Sequence, residues 1–183
     1  MTALLAALGA AAVGTFAATL PGKGIAPLAT TAPGGKEASA PRPKPGKDGK
    51  VALTDDQWRK LLTPAQFNVL RQEGTERPYS HPYNDLHDQG TFVCAGCGLP
   101  LFRSENKFES GTGWPSFYQP LQKSAVTEIS DRALGMVRTE VQCSRCDGHL
   151  GHVFDDGPKP TGLRYCMNGV ALRFVPASAS KKK

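Results

Sequence analysis

Two short stretches decide the fold of this chain: Cys94-Ala95-Gly96-Cys97 and, about 45 residues later, Cys143-Ser144-Arg145-Cys146. Each is a Cys-x-x-Cys knuckle, and together they take four of the five cysteines. Four thiolates on two knuckles close a tetrahedron around zinc and leave no coordination position for a substrate, so the expected metal is structural. The alternative, a disulfide inside each knuckle, would be strained or redox-active. Gly96, Gly98 and Gly148 suit the tight turns of metal knuckles. The fifth cysteine, Cys166, stands alone in Arg164-Tyr165-Cys166-Met167-Asn168 and is left over for chemistry.

Outward from the knuckles, composition divides the 183 residues. Leu4 to Leu20 is almost wholly Ala, Leu, Gly and Val without a charge, so residues 1–20 read as a targeting or anchor segment. Residues 21–50, dominated by Pro, Gly, Ala and Lys, read as a disordered linker. Residues 51–176 then form one domain of ordinary size for a single core, and 177–183 a basic tail. The first charge is Lys23, no Arg precedes Arg42 and no Ser precedes Ser39. A signal peptide carries its positive charge ahead of the apolar run, which Lys23 does not supply, and a transit peptide is rich in Arg and Ser; export, periplasmic or secreted, is the preferred destination. Organellar delivery and an N-terminal anchor are the other readings.

The formal charge of +6 belongs to the flanks, because Val51 to Ser180 carries 13 Lys and Arg against 14 Asp and Glu. A core without a basic face lacks the electrostatic attraction that nucleic-acid binding requires, so no nucleic acid is expected. No glycine-rich phosphate loop and no repeat of 20 to 50 residues occurs either.

Thr54 with Gln57, and Thr63-Pro64 with Gln66, are capping boxes that open two short helices. Gly74 is expected to close the second, after Phe67, Val69 and Leu70. Beyond Gly90 the period changes to two. Thr91-Phe92-Val93 leads into the first knuckle, and Val137, Thr139 and Val141 alternate with polar residues into the second. Val170, Leu172 and Phe174 alternate near the end. The fold class is therefore mainly β, antiparallel, with short N-terminal helices.

Three segments carry the chemistry: Gly111 to Phe117 around Trp114, His149-Leu150-Gly151-His152-Val153-Phe154, and Arg164 to Asn168. Strand alternation places Arg164, Cys166 and Asn168 on one face, a cation, a thiol and an amide. A nearby cation favours the thiolate, the nucleophilic form. His149 and His152, three apart in a strand, should face opposite ways, and one of them reads as a hydrogen-bonded structural histidine. Taken singly, Cys166 would be an inert core thiol and Trp114 core packing. Their combination is what points to an active site.

Ser110-Gly111-Thr112-Gly113-Trp114-Pro115-Ser116-Phe117, the His149 to Phe154 segment, Arg164 to Asn168 and both knuckles together closely resemble the B-type peptide-methionine (R)-S-oxide reductases, from about Leu53 to Phe174. The resemblance implies two antiparallel sheets in a β-tent-like, zinc-stapled arrangement. It implies one zinc on Cys94, Cys97, Cys143 and Cys146, away from the active site, and Cys166 as nucleophile. Trp114 becomes the wall for the substrate methyl, with Phe154 in the same pocket. His149 and His152 become the active-site imidazoles, Asp156 and Arg164 polar support, and Asn168 a substrate contact.

The implied activity is thiol-dependent reduction of methionine-R-sulfoxide, chiefly in oxidised proteins and peptides, by a monomer engaged in oxidative-damage repair. A sulfoxide sulfur is a poor electrophile until its oxygen is protonated, so a proton donor is needed beside Cys166; His152 is favoured, with His149 second. Three positions depart from the family pattern. Thr112 stands where many members carry a resolving cysteine, Asp155 where proline is frequent, and Met167 where a β-branched residue is common. With four thiols on metal, recycling of Cys166 falls to an external thiol: thioredoxin, glutaredoxin with glutathione, or a small thiol. The runner-up reading is a non-catalytic, zinc-ribbon-like protein-binding module. Such a module has no need of Cys166 between Arg164 and Asn168 with two histidines.

Overall fold

Both helices begin as the sequence predicts. Thr54 and Thr63 take extended backbone, accept the N–H of Gln57 and Gln66, and donate their own N–H to those glutamine side chains. Helix α1 runs Asp55–Leu61 and α2 runs Pro64–Gln72. The end of α2 departs from expectation: Glu73, not Gly74, takes the left-handed backbone (φ 56°). Gly74 serves by its missing side chain, since a Cβ there would lie 2.2 Å from the Asn68 amide nitrogen.

The structure is a computed structural model that describes residues 42–131 and 137–177. The expected targeting segment, residues 1–20, most of the 21–50 linker and all but Ala177 of the 177–183 tail lie outside the described residues. The part of that linker within them, 42–50, is mostly exposed and touches the domain at Arg42 and Lys50. Arg42 donates to the Ala95 carbonyl, and Lys50 pairs with Asp147 at 2.8 Å. Among the described residues no helix is long and apolar enough to cross a membrane.

Among the described residues nine strands follow: β1 Gly90–Cys94, β2 Pro100–Arg103, β3 Lys107–Phe108, β4 Ser116–Phe117, β5 Val126–Asp131, β6 Arg138–Cys143, β7 His149–Phe154, β8 Arg164–Met167 and β9 Leu172–Pro176. They form two antiparallel sheets, ordered β2-β1-β9 and β3-β4-β8-β7-β6-β5. The alternation predicted around Val170 begins only at Leu172, because Val170 sits in the tight turn Gly169–Ala171. Between the sheets lies an aromatic core. Phe92 of β1 meets Phe117 of β4 edge-on at 5.1 Å, and Phe102 of β2 stacks on Phe117 at 4.5 Å. Burying each such ring stabilises the fold by roughly 1.5–3 kcal/mol.

His81, in the segment after α2, shows how tightly this core is closed. Its ring lies 4.4 Å from that of Tyr83 and packs so closely on Gly169 that a Cβ there would sit 2.4 Å from it. Burial pushes its pKa down to about 4. Between that value and the unfolded value near 6.5 the unfolded chain binds a proton that the folded chain refuses, so stability is lost as pH falls through this window. Allowing for the ring's partial exposure, the loss should be about 2 kcal/mol. Urea melts at pH 7 and pH 4.5 measure it: His81→Gln should flatten the difference, and an unchanged difference would exclude His81 as its source.

Candidate active site and metal centre

The two knuckles are the same turn used twice. Cys94 opens a loop in which Gly98 donates back to the Cys94 carbonyl, and Asp147 does the same to Cys143, both at 2.9 Å. The fifth residue of each turn is left-handed, Gly98 at φ 75° and Asp147 at φ 53°. The second turn thus rests on an aspartate where Gly148 was expected to supply the freedom. One turn joins β1 to β2 and the other β6 to β7, so the four cysteines come from both sheets.

Their sulfurs converge. Cys94 and Cys146 Sγ are 3.7 Å apart, Cys97 and Cys143 Sγ 3.5 Å, and all four ligand atoms lie within 4.8 Å of one another. A tetrahedron of Zn–S bonds near 2.3 Å has edges of about 3.8 Å, so the donors fit zinc in identity, number and spacing. None forms a disulfide. All four are buried, and α2 and the segment before α1 hold the second knuckle: Arg71 of α2 donates to the Cys146 carbonyl at 2.9 Å, and Val51 N–H to the Arg145 carbonyl at 2.8 Å. A closed four-thiolate zinc supplies cohesion and no reactive position.

The remaining thiol stands elsewhere, on a rung that crosses the larger sheet. Ser116 of β4 faces Cys166 of β8, Cys166 faces His152 of β7, and His152 faces Glu140 of β6. Directly opposed residues hold their Cβ atoms about 4.5–5.5 Å apart, so the register alone sets the thiol beside the imidazole. Gly151 permits the close approach of β7 to β8: a Cβ there would fall 2.1 Å from the Cys166 carbonyl oxygen.

The expectation that His149 and His152 face opposite ways is overturned by a bulge. Val141 pairs with Gly151 and Gln142 with His149, leaving Leu150 as an extra residue on β7. One added residue reverses the alternation, and the two rings meet edge-to-face at 5.4 Å. Each imidazole has its own carboxylate. His149 Nδ1 lies 2.7 Å from Glu140 Oε1, and His152 Nε2 lies 3.1 Å from Asp131 Oδ2, which also accepts from Arg138 at 2.7 Å. Burial lowers the proton affinity of His152, Asp131 works against that, and the charges of Arg138 and His149 add to the lowering.

A cavity of about 140 Å³ opens onto this rung, lined by Trp114, Phe154, His152, Cys166, Asn168 and Arg138 among others. A space of that size holds a benzene-sized group. Trp114 is fixed from behind, its Nε1 donating to the Glu76 carbonyl at 3.1 Å. Asn168 lines the cavity with its amide already engaged, accepting from Glu76 N–H at 3.0 Å and donating to the Leu150 carbonyl at 3.1 Å. Arg164 makes a two-point ion pair with the exposed Asp156, both contacts at 2.8 Å, and lies over the Phe154 ring at 4.3 Å. Asp156 and, beside it, Cys166 both favour its charged form.

Thr112 Oγ1 is 3.8 Å from Cys166 Sγ, so the loop at residue 112 reaches the thiol. Met167 is buried on the opposite side of β8. His149 does not line the cavity; it stands behind His152. Sequence reasoning missed Glu140, Asp131, Arg138 and Glu76, because each reads as an ordinary solvated charge until strand register shows what it faces.

Two sheets brought together at four cysteines keep one thiol out of the knot, opposite an imidazole and under an aromatic wall, the setting of an enzyme's active site. Residues 62–176 match the SelR domain, and the chain belongs to that family. It is 54% identical over 134 residues, 73% of this chain and 96% of the relative, to peptide methionine sulfoxide reductase MsrB of Hahella chejuensis. Over 129 residues it is 57% identical to the protein of that name from Bradyrhizobium diazoefficiens, covering 70% of this chain and 93% of the relative. Over 127 residues it is 56% identical to that from Pseudomonas savastanoi pv. phaseolicola, covering 69% and 97%.

Because the sulfurs join two sheets, zinc binding is folding free energy here. Metal analysis should return about one zinc per chain, and a strong chelator under reducing conditions should abolish the cooperative thermal melt. A metal-free, reduced chain that melts as before would refute the stapling role.

Proposed function

We infer that this chain reduces methionine-R-sulfoxide in proteins and peptides to methionine, with Cys166 as nucleophile and a thiol as the reductant. The observation that carries the reading is the rung itself, a free thiol directly opposite an imidazole, opening onto a cavity with an aromatic wall.

The residues divide the work. Trp114 and Phe154 receive the sulfoxide methyl by apolar contact and exclude water from the sulfur. His152 places a proton on the sulfoxide oxygen, and its lowered proton affinity makes donation weaken as pH rises through its titration. The Cys166 thiolate attacks the activated sulfur and forms a sulfur–sulfur bond. The protonated oxygen then passes to the cysteine sulfur as the substrate sulfur's bonds to cysteine sulfur and to oxygen both break, and the electron pair stays on methionine. The cysteine is oxidised to a sulfenic acid carrying the donated proton, and the substrate is reduced. Arg164, held by Asp156, offers a fixed positive charge beside Cys166. Asn168, pinned at both ends of its amide, supports the cavity wall.

Two external thiols then complete the cycle, releasing water and a disulfide. Thr112 cannot resolve the sulfenic acid, and the other four cysteines are the metal ligands. Small thiols or a glutaredoxin with glutathione fit this better than thioredoxin.

A pocket with one apolar wall and one proton donor accepts one sulfoxide hand. Only the R epimer of a peptide methionine sulfoxide should be consumed, and Cys166→Ser should be inactive with zinc retained. His152→Ala should lower kcat by about 10² to 10⁴. Equal rates on both epimers, or activity in Cys166→Ser, would overturn the assignment. After a single turnover without reductant, dimedone should label Cys166; a disulfide found by mass spectrometry between Cys166 and a knuckle cysteine would exclude the one-cysteine cycle.

A further inference from the structure

Glu140 is a buried carboxylate in the middle of β6, only 8% exposed. Its Oε1 accepts from His149 Nδ1 at 2.7 Å and from Gln142 Nε2 at 3.1 Å. His149 is 3% exposed, and its other nitrogen, Nε2, is buried without a hydrogen-bond partner. Its ring packs edge-to-face on His152, which is itself the cross-strand neighbour of Glu140 and of Cys166.

Stability does not explain this arrangement. A buried carboxylate and imidazole usually gain nothing over an apolar pair of the same volume, and an unpartnered buried nitrogen costs on the order of 1–3 kcal/mol. The bulge at Leu150 is a further local cost, and its effect is to bring His149 against His152. What the arrangement does provide is orientation. The carboxylate fixes the Nδ1–H tautomer and rotamer of His149, and His149 then forms one wall of the slot that holds the His152 ring. Asp131 holds the same ring at its Nε2, and the ring lines the cavity.

We propose that Glu140 is a positioning residue of the active site: through His149 it holds His152 in the orientation from which its proton reaches the sulfoxide oxygen. The proposal rests on the reductase reading above. Glu140 is not among the residues that line the cavity, and although it stands opposite His152 in the register its hydrogen bond toward the site goes to His149, so on this proposal its contribution should vanish when that ring is removed.

The test is a double-mutant cycle on the full, zinc-loaded chain, with a peptide R-sulfoxide as substrate and dithiothreitol as reductant. Glu140→Gln should lower kcat about 10- to 100-fold, as losing a carboxylate behind a functional histidine commonly does, with KM changed less than about 3-fold. Zinc content and the thermal melt should stay those of the parent. In a His149→Asn background the same change should cost less than about 3-fold, the signature of two residues that act as one unit. A parental kcat in Glu140→Gln, or equal cost with and without His149, overturns the proposal. If Glu140→Gln loses zinc or its cooperative melt, Glu140→Asp, which keeps the charge and shortens its reach, takes its place. A parental kcat in that variant overturns the proposal equally. An inactive parent chain would refute the reductase reading itself, whereas an active parent with additive costs refutes only the role of Glu140.

Discussion

The convergence of four sulfurs from two hairpin turns is the constraint on which the rest of this molecule depends. One turn belongs to the three-stranded sheet and the other to the six-stranded sheet. A domain of this size has a limited core, so a metal that joins its two layers adds cohesion where apolar area alone gives a modest margin. The helices complete the same device. Trp58 and Leu70 lie over Gly96, 3.5 and 3.6 Å from where a Cβ would stand, and a larger residue in the knuckle would press on both.

With the layers tied, register does the chemical placing. Ser116, Cys166, His152 and Glu140 share one rung, and each owes its neighbours to pairings set by residues far away in sequence. A slip of one residue between β7 and β8 would turn His152 away from the cavity and into the core. Gly151 guards against that slip, since it alone allows the backbone of β7 to approach the Cys166 carbonyl so closely. The bulge at Leu150 gives up regular pairing between β6 and β7, and it yields a second imidazole on the face that the first occupies.

The segment after α2 ties the cavity wall to this sheet through one residue. Glu76 accepts the N–H of Gly169 at 2.6 Å and of Val170 at 2.9 Å with its carboxylate. Its carbonyl holds the Trp114 indole, and its N–H reaches the Asn168 amide. Burial raises its pKa, with the two backbone donors acting against that rise. The aromatic wall, the end of β8 and the turn before β9 are thus referenced to a single side chain and its peptide group.

The amino-acid sequence by itself determined the elements whose causes are local. Capping boxes start helices within four residues, Cys-x-x-Cys spacing sets a metal knuckle, and alternation marks strands, so α1, α2, the zinc ligands and the lone status of Cys166 were legible. Resemblance to known reductases added Trp114, His152 and Asn168, and the cavity does bring these together with Cys166 and Phe154. What only the tertiary structure decided is pairing across the sheet. Nothing local tells that Leu150 is a bulged residue, that Asp147 takes the turn position a glycine was expected to fill, or that Glu140 and Asp131 each hold a histidine. A strand charge looks the same in sequence whether it faces water or an imidazole on the next strand, and that difference is made by register, which arises only when distant segments meet.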